Sequence, residues 1–151
     1  MKKKFKVLTL CAMLFALCPS AEAQQPAKVP RIAFLTNNFR STFPAGDEAF
    51  RRGLRELGYV EGKNIIIEWG YADGKFDRLT TLADELIALK VEVIVTGGPP
   101  ATRRAKKAAT IPIVMATDPD PVANGFVASL ARPGGNVTGL STLAPEISGK
   151  R

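Results

Sequence analysis

The stretch Thr96–Ala109, "TGGPPATRRAKKAA", follows the apolar run "VEVIVTGG". A buried strand therefore runs into a Gly-Gly-Pro-Pro turn and a basic helix, a design that holds ligands in many α/β proteins. A nucleotide phosphate fits it poorly. The Walker loop needs G-x-x-x-x-G-K-S/T, whose successive backbone N–H groups wrap the phosphates. Pro99 and Pro100 have no N–H to give, and the dinucleotide fingerprint G-x-G-x-x-G is also missing. A proline preset at the helix start leaves the N–H groups of Ala101, Thr102 and Arg103 beside the positive end of the helix dipole, with room for one carboxylate or hydroxyl. The same turn also serves simply to start a helix. Arg103, Arg104, Lys106 and Lys107 suggest an anion patch, but on so short a helix they read as a solvated face.

"TDPDP" brings Asp118 and Asp120 close together. Two carboxylates interrupted by prolines lack the loop length and ligand number that calcium needs, so no metal site is expected. Their expected roles are a cap for a helix in "PVANGFVASLA" and, for Thr117 or Asp118, a hydrogen bond to a ligand. No catalytic residues are assigned. The sequence contains no histidine, and no spacing of Ser41, Thr42, Asp118 or Asp120 marks a nucleophile with its base. No cofactor is expected. Trp69, Tyr71 and Phe39 sit where they could cover a ligand, although Trp69 reads equally as core.

The elements that position these residues are legible as periodicity. "RIAFLT" (Arg31–Thr36), "NIIIEW" (Asn64–Trp69), "VEVIVTG" (Val91–Gly97) and "IPIVMAT" (Ile111–Thr117) are short, β-branched and nearly continuous. Strands buried on both faces of a parallel sheet read this way. A fifth, weaker strand is expected in "NVTGLST" (Asn136–Thr142). Between the first two strands, "GDEAFRRGLRELGY" puts Phe50, Leu54 and Leu57 on one helical stripe, with Gly58 as a C′ stop. "DRLTTLADELIALK" aligns Leu79, Leu82, Ala83, Leu86 and Leu89, with Asp77 as N-cap and Lys90 suited to the negative helix end. This alternation predicts an α/β fold of βαβ units: a three-layer αβα, doubly wound, mostly parallel sheet of about five strands. Ligands of such sheets bind beyond the carboxyl ends of the strands.

The beginning of the chain reads as an address. Lys2, Lys3, Lys4 and Lys6 precede an apolar run from Val7 to about Leu17, and Ala21 and Ala23 form an A-x-A pattern. That predicts a signal peptide over residues 1–23, a linker over 24–30 and a periplasmic or otherwise extracytoplasmic protein. The apolar run is shorter than the roughly 20 residues of a spanning helix. Both cysteines, Cys11 and Cys18, would leave with the leader. Of the formal charge of +7, the leader carries a net +3, so the +4 that remains is a soluble surface with interspersed signs, not a nucleic-acid footprint.

The strings "AFRRGLRELGYVEGKNIIIEW", "DRLTTLADELIALKVEVIVTGG" and "LARPGGNVTGLS" followed by "SGKR" closely resemble the substrate-binding proteins of ABC transporters, in particular a family with members that bind aromatic amino acids. The likeness runs from about Arg31 onward. It implies a periplasmic-binding-protein type I fold in which two α/β lobes close on a small solute and deliver it to an ABC permease of the inner membrane. Residues 31–151 then correspond to the N-terminal lobe alone. The resemblance points to loops at the strand ends. Within them the expected ligand contacts are Thr36 and Asn37 after the first strand, Gly98, Ala101 and Thr102 at the third, and Thr117 and Asp118 at the fourth.

Two other readings compete. The last residues, "APEISGKR", read as the opening of a helix capped by Ser148, which favours a fragment or a truncated, non-functional lobe. A small exported α/β hydrolase with a carboxylate base is the other. It lacks a Gly-x-Ser-x-Gly elbow, so the protein is expected not to be an enzyme.

Overall fold

The computed structural model describes residues 28–142. The expected leader and the segment containing Ser148 lie outside the described residues. In chain order the elements are β1 (Arg31–Thr36), a 3-10 turn (Arg40–Thr42), α1 (Pro44–Glu56), β2 (Ile66–Tyr71), α2 (Phe76–Ala88), β3 (Val93–Gly97), α3 (Pro99–Ala108), β4 (Ile113–Asp118) and β5 (Val137–Ser141). All pairings are parallel, in the order β2-β1-β3-β4-β5. That is one of the two common doubly wound orders.

Strand alternation sorts the side chains into two layers. Ala33, Leu35, Ile94, Ile113, Met115 and Val137 face α2 and α3, meeting Leu79, Ala83, Leu86, Ala101 and Ala105 in the main core. The opposite face carries Phe34 and Trp69, which are paired in register and covered by Phe50 of α1. Phe34 lies 5.3 Å from each of the other two rings, and Phe50 meets Trp69 edge-on at 6.0 Å. Such tilted contacts add to the area these rings bury.

The helix ends show which sequence signals act. Gly58 (φ 87°) closes α1 with a Schellman motif: its N–H donates to Arg55 O, and that of Tyr59 donates to Leu54 O. Leu57, expected on the buried stripe, is instead the C-cap and is 75% exposed. The helix terminates before that position can turn inward. Asp77 is not the N-cap of α2. Lys75 holds that place, and Asp77 lies in the first turn, where its charge still complements the dipole. Lys90, one residue past the α2 C-cap, adopts φ 56° and donates its N–H to Ile87 O.

The helix expected in "PVANGFVASLA" does not form. Residues 121–126 make turns held by Ala123 N–H to Asp120 Oδ1 (2.9 Å) and Phe126 N–H to Pro121 O (2.9 Å), interrupted by Gly125 at φ 69°. Among the described residues, no helix is long and apolar enough to cross a membrane.

Candidate functional site at the carboxyl edge of the sheet

From β1 the chain crosses outward to β2, and from β3 it crosses to β4 on the other side, so the carboxyl ends of β1 and β3 diverge. This is the switch point at which open α/β sheets bind ligands. Thr36 and Gly97 end these two strands in register. The Thr36 hydroxyl donates to Gly97 O (3.2 Å) and accepts the Asn38 N–H (3.2 Å). A Cβ on Gly97 would lie 2.8 Å from Thr36 Oγ1, so the close approach requires glycine. Asn37 follows, half-buried, with Oδ1 unpartnered, while its backbone oxygen receives the Gly74 N–H (2.9 Å).

Gly98 (φ 97°) turns the chain into α3. Its carbonyl accepts the Thr102 N–H (3.2 Å) and the Thr102 hydroxyl (3.1 Å), and Thr102 Oγ1 also meets Thr96 Oγ1 at 2.8 Å. The expected trio of free N–H groups at this helix start is therefore reduced, because that of Thr102 is spent inside the turn. Thr36, Ala101, Thr102 and Asp118 are fully buried; of the expected contacts, Asn37, Gly98 and Thr117 reach the surface.

A bulge in β4 decides the fate of Thr117 and Asp118. Thr96 pairs with Met115, but the next residue, Gly97, pairs with Thr117, so Ala116 is the extra residue. The insertion reverses the alternation. Thr117 emerges beside Gly97, on the side of the sheet away from α3. Asp118 turns inward, where Oδ1 accepts the Asp120 N–H (2.9 Å) and Asn124 Nδ2–H (3.0 Å), while Oδ2 has no partner. Its strand neighbour Ser141 likewise has an unpartnered hydroxyl. Among the described residues no three His, Cys, Asp or Glu side chains cluster together.

The β2 side of the edge is aromatic. Tyr71 donates its hydroxyl to Asp47 Oδ2 in a short buried hydrogen bond, leaving Asp47 Oδ1 unpartnered. Burial, then the hydrogen bond to Asp47 and its negative charge, push the phenol well above the ordinary tyrosine range. Trp69 stacks on Tyr71 at 6.1 Å and gives its indole N–H to Glu61 Oε1 (2.9 Å). Arg51 lies 4.5 Å from the indole ring and pairs with Glu61 at 2.5 Å. Partial burial raises the Glu61 pKa, but the Trp69 and Arg51 hydrogen bonds outweigh it and hold the carboxyl below its usual value. Trp69 and Tyr71 are thus committed within the protein. Of the three aromatics expected to cover a ligand, Phe39 is the one left open to solvent, at 52% exposed, with its ring edge beside Gly74.

Asp47 and Ser141 escaped the sequence reading. Asp47 lies in the segment read only for its apolar stripe, and Ser141 in the weak fifth strand. Neither type nor spacing announces that the Tyr71 hydroxyl reaches the first or that Asp118 lies beside the second. Together with Asn37 and Asp118 they hold every buried, unpartnered side-chain polar atom among the described residues, all near the carboxyl ends of the strands.

The sequence profile of the ABC transporter substrate binding protein family matches residues 43–147, a span that includes α1 and the ends of β2 to β5. The chain belongs to this family. A tyrosine-binding protein of Clostridioides difficile is 35% identical over 102 residues, covering 65% of this chain and 30% of that protein. Three solved structures share the fold. The ligand-free, open structure of a substrate-binding protein with adhesive properties from Clostridium difficile superposes with a TM-score of 0.73 at 28% identity, over 80% of this chain and 41% of that one. A conserved domain protein from Vibrio cholerae gives 0.72 at 32% identity, over 78% and 40%. An ABC domain from Streptococcus pneumoniae in complex with L-tryptophan gives 0.67 at 28%, over 74% and 38%. The chain spans about a third of the curated relative and about two fifths of these solved chains. These structures bear out the expected type I periplasmic-binding architecture, matched over a single lobe.

Proposed function

We propose that this chain forms one wall of a solute-binding cleft in an exported ABC substrate-binding protein, and that the solute is an amino acid with an aromatic side chain. The carrying observation is the row of unpartnered buried polar atoms along the carboxyl ends of the strands, with Asn37 at the switch point, Asp47 beside β2, Asp118 on β4 and Ser141 on β5. Buried polar groups are nearly always paired, and exceptions mark sites with work to do. Asn37, Gly98 and Thr117 present polar atoms or backbone there. Thr36, Ala101, Thr102 and Asp118 fix the loops from beneath. Phe39 offers a ring for the solute to lie against. The relatives that bind tyrosine and L-tryptophan support the solute class. Residues 1–23 direct export, a facing lobe completes the cleft, and the closed form hands its solute to an ABC permease.

Calorimetric titration of L-tryptophan, L-tyrosine, L-leucine and glucose tests this reading. The two aromatic amino acids bind and glucose does not. Asn37→Ala and Thr117→Ala each weaken binding by about tenfold, the worth of one hydrogen bond at a polar site. Unchanged affinity in both variants removes the carboxyl edge as the binding surface.

A further inference from the structure

We propose that a groove along α3, starting beside the solute edge at Pro99 and running away from it, is a docking surface for an extended acidic peptide segment of a partner protein. Three concavities of about 280, 310 and 380 Å³ follow this helix. The first and second share Arg103 as a wall, and the second and third share Lys106, Gly125 and Phe126. They run from Pro99, at the carboxyl edge, to Gly134 and Gly135, ahead of β5. A ten-residue helix is about 15 Å long, which matches four or five residues of extended chain at about 3.3 Å each.

Charge and floor define the occupant. Arg103, Arg104, Lys106 and Lys107 all line the groove, and no carboxylate does. None of the four forms a salt bridge among the described residues. Lys106 and Lys107 complement the negative end of α3. Arg103 and Arg104 are mid-helix, where the dipole gives them nothing. Arg103 packs 5.3 Å from the Phe126 ring and Lys106 donates to Gly125 O (2.7 Å), so both brace the loop that forms the far wall. Arg104 and Lys107 have no such task. Phe76, 56% exposed, and Pro99 and Pro100 supply apolar surface at one end. Linked hollows with cationic walls and an apolar end suit acidic side chains alternating with apolar ones, a recognised mode of peptide capture by Arg and Lys clusters. A flat lipid headgroup layer would leave the hollows unfilled.

The probe is a fluorescein-labelled eight-residue peptide alternating glutamate with leucine, followed by anisotropy with the full chain. It binds, and raising salt from about 50 to about 300 mM weakens it several-fold. Arg104→Glu with Lys107→Glu weakens it at least tenfold. The charge-matched control Arg52→Glu with Lys63→Glu, on exposed positions elsewhere, changes it less than twofold, and glutamine in place of glutamate abolishes binding. Both double variants stay folded, with a loss of only a few degrees in melting temperature for Lys107→Glu at the helix end. Equal losses in the two double variants, no binding at all, or preferential binding to phosphatidylglycerol vesicles with the same residue dependence each overturn the proposal.

Discussion

Gly97→Ala is the sharpest test of how the switch point is built. The new Cβ would meet Thr36 Oγ1 at 2.8 Å and Thr36 Cβ at 3.0 Å, with Phe34 Cε1 behind at 3.5 Å. Thr36 is fully buried and cannot swing into solvent. It must rotate or the strands must part, at an overpacking cost of about 1–3 kcal/mol. Rotation also breaks its bonds to Gly97 O and from Asn38 N–H, at about 1 kcal/mol each. The expected loss is about 3 kcal/mol, or a drop of about 10 °C in melting temperature for a domain of this size. Circular dichroism melts of Gly97→Ala, Thr36→Ala and the double variant measure it as a cycle. Thr36→Ala alone costs about 1–2 kcal/mol and removes the 2.8 Å contact but keeps its own Cβ at 3.0 Å from the new methyl, so the double variant melts below it, by less than the full cost of Gly97→Ala. A wild-type melt for Gly97→Ala, or a double variant that falls to the sum of the singles, refutes the close contact.

Further consequences concern the same edge. Tyr71→Phe leaves the buried Asp47 carboxylate with neither oxygen paired and lowers stability by about 1–3 kcal/mol in urea titrations. Because the folded-state phenol pKa lies above the unfolded value of about 10, the wild type keeps this stability below pH of about 10. It loses the contribution as pH rises through the folded pKa, a decline that Tyr71→Phe does not show. Glu61 has the opposite sign. Its depressed folded pKa makes its contribution present above about 4.5 and lost as pH falls through the folded value, so the melting temperature of Glu61→Gln falls less steeply in acid than that of the wild type. Gly139→Ala places a methyl against the Met115 backbone, 2.5 Å from its nitrogen and closer still to its oxygen, at φ 142°. Neither group can yield, so the variant loses at least about 3 kcal/mol and its β5 amides lose hydrogen-exchange protection first.

The sheet was legible because parallel strands buried on both faces leave continuous apolar runs, and β1 matches its run residue for residue. Boundaries elsewhere moved for local reasons. β4 begins at Ile113, not Ile111, with Pro112, which has no N–H, immediately before it. β2 continues through Gly70 and Tyr71, which look like a turn until Gly70 is seen to be packed against Leu35 and Leu86. The site was legible as a set of loops and not as a set of contacts. Thr117 and Asp118 exchange roles because of one extra residue in β4, and a bulge depends on the neighbouring strand, which no single run encodes. Thr102 has the composition of a ligand contact, yet its hydroxyl closes the turn that starts α3. Asp47 became visible only through Tyr71, 24 residues away.

The most direct test of the solute edge is a ¹⁵N-labelled chain titrated with L-tryptophan to millimolar concentration, with amide shifts mapped residue by residue. Shifts centred on Asn37, Asn38, Gly97, Gly98 and Thr117, saturating together, are the predicted result. No shift at those residues, or shifts centred on Pro133–Asn136 at the opposite edge of the sheet, would contradict it.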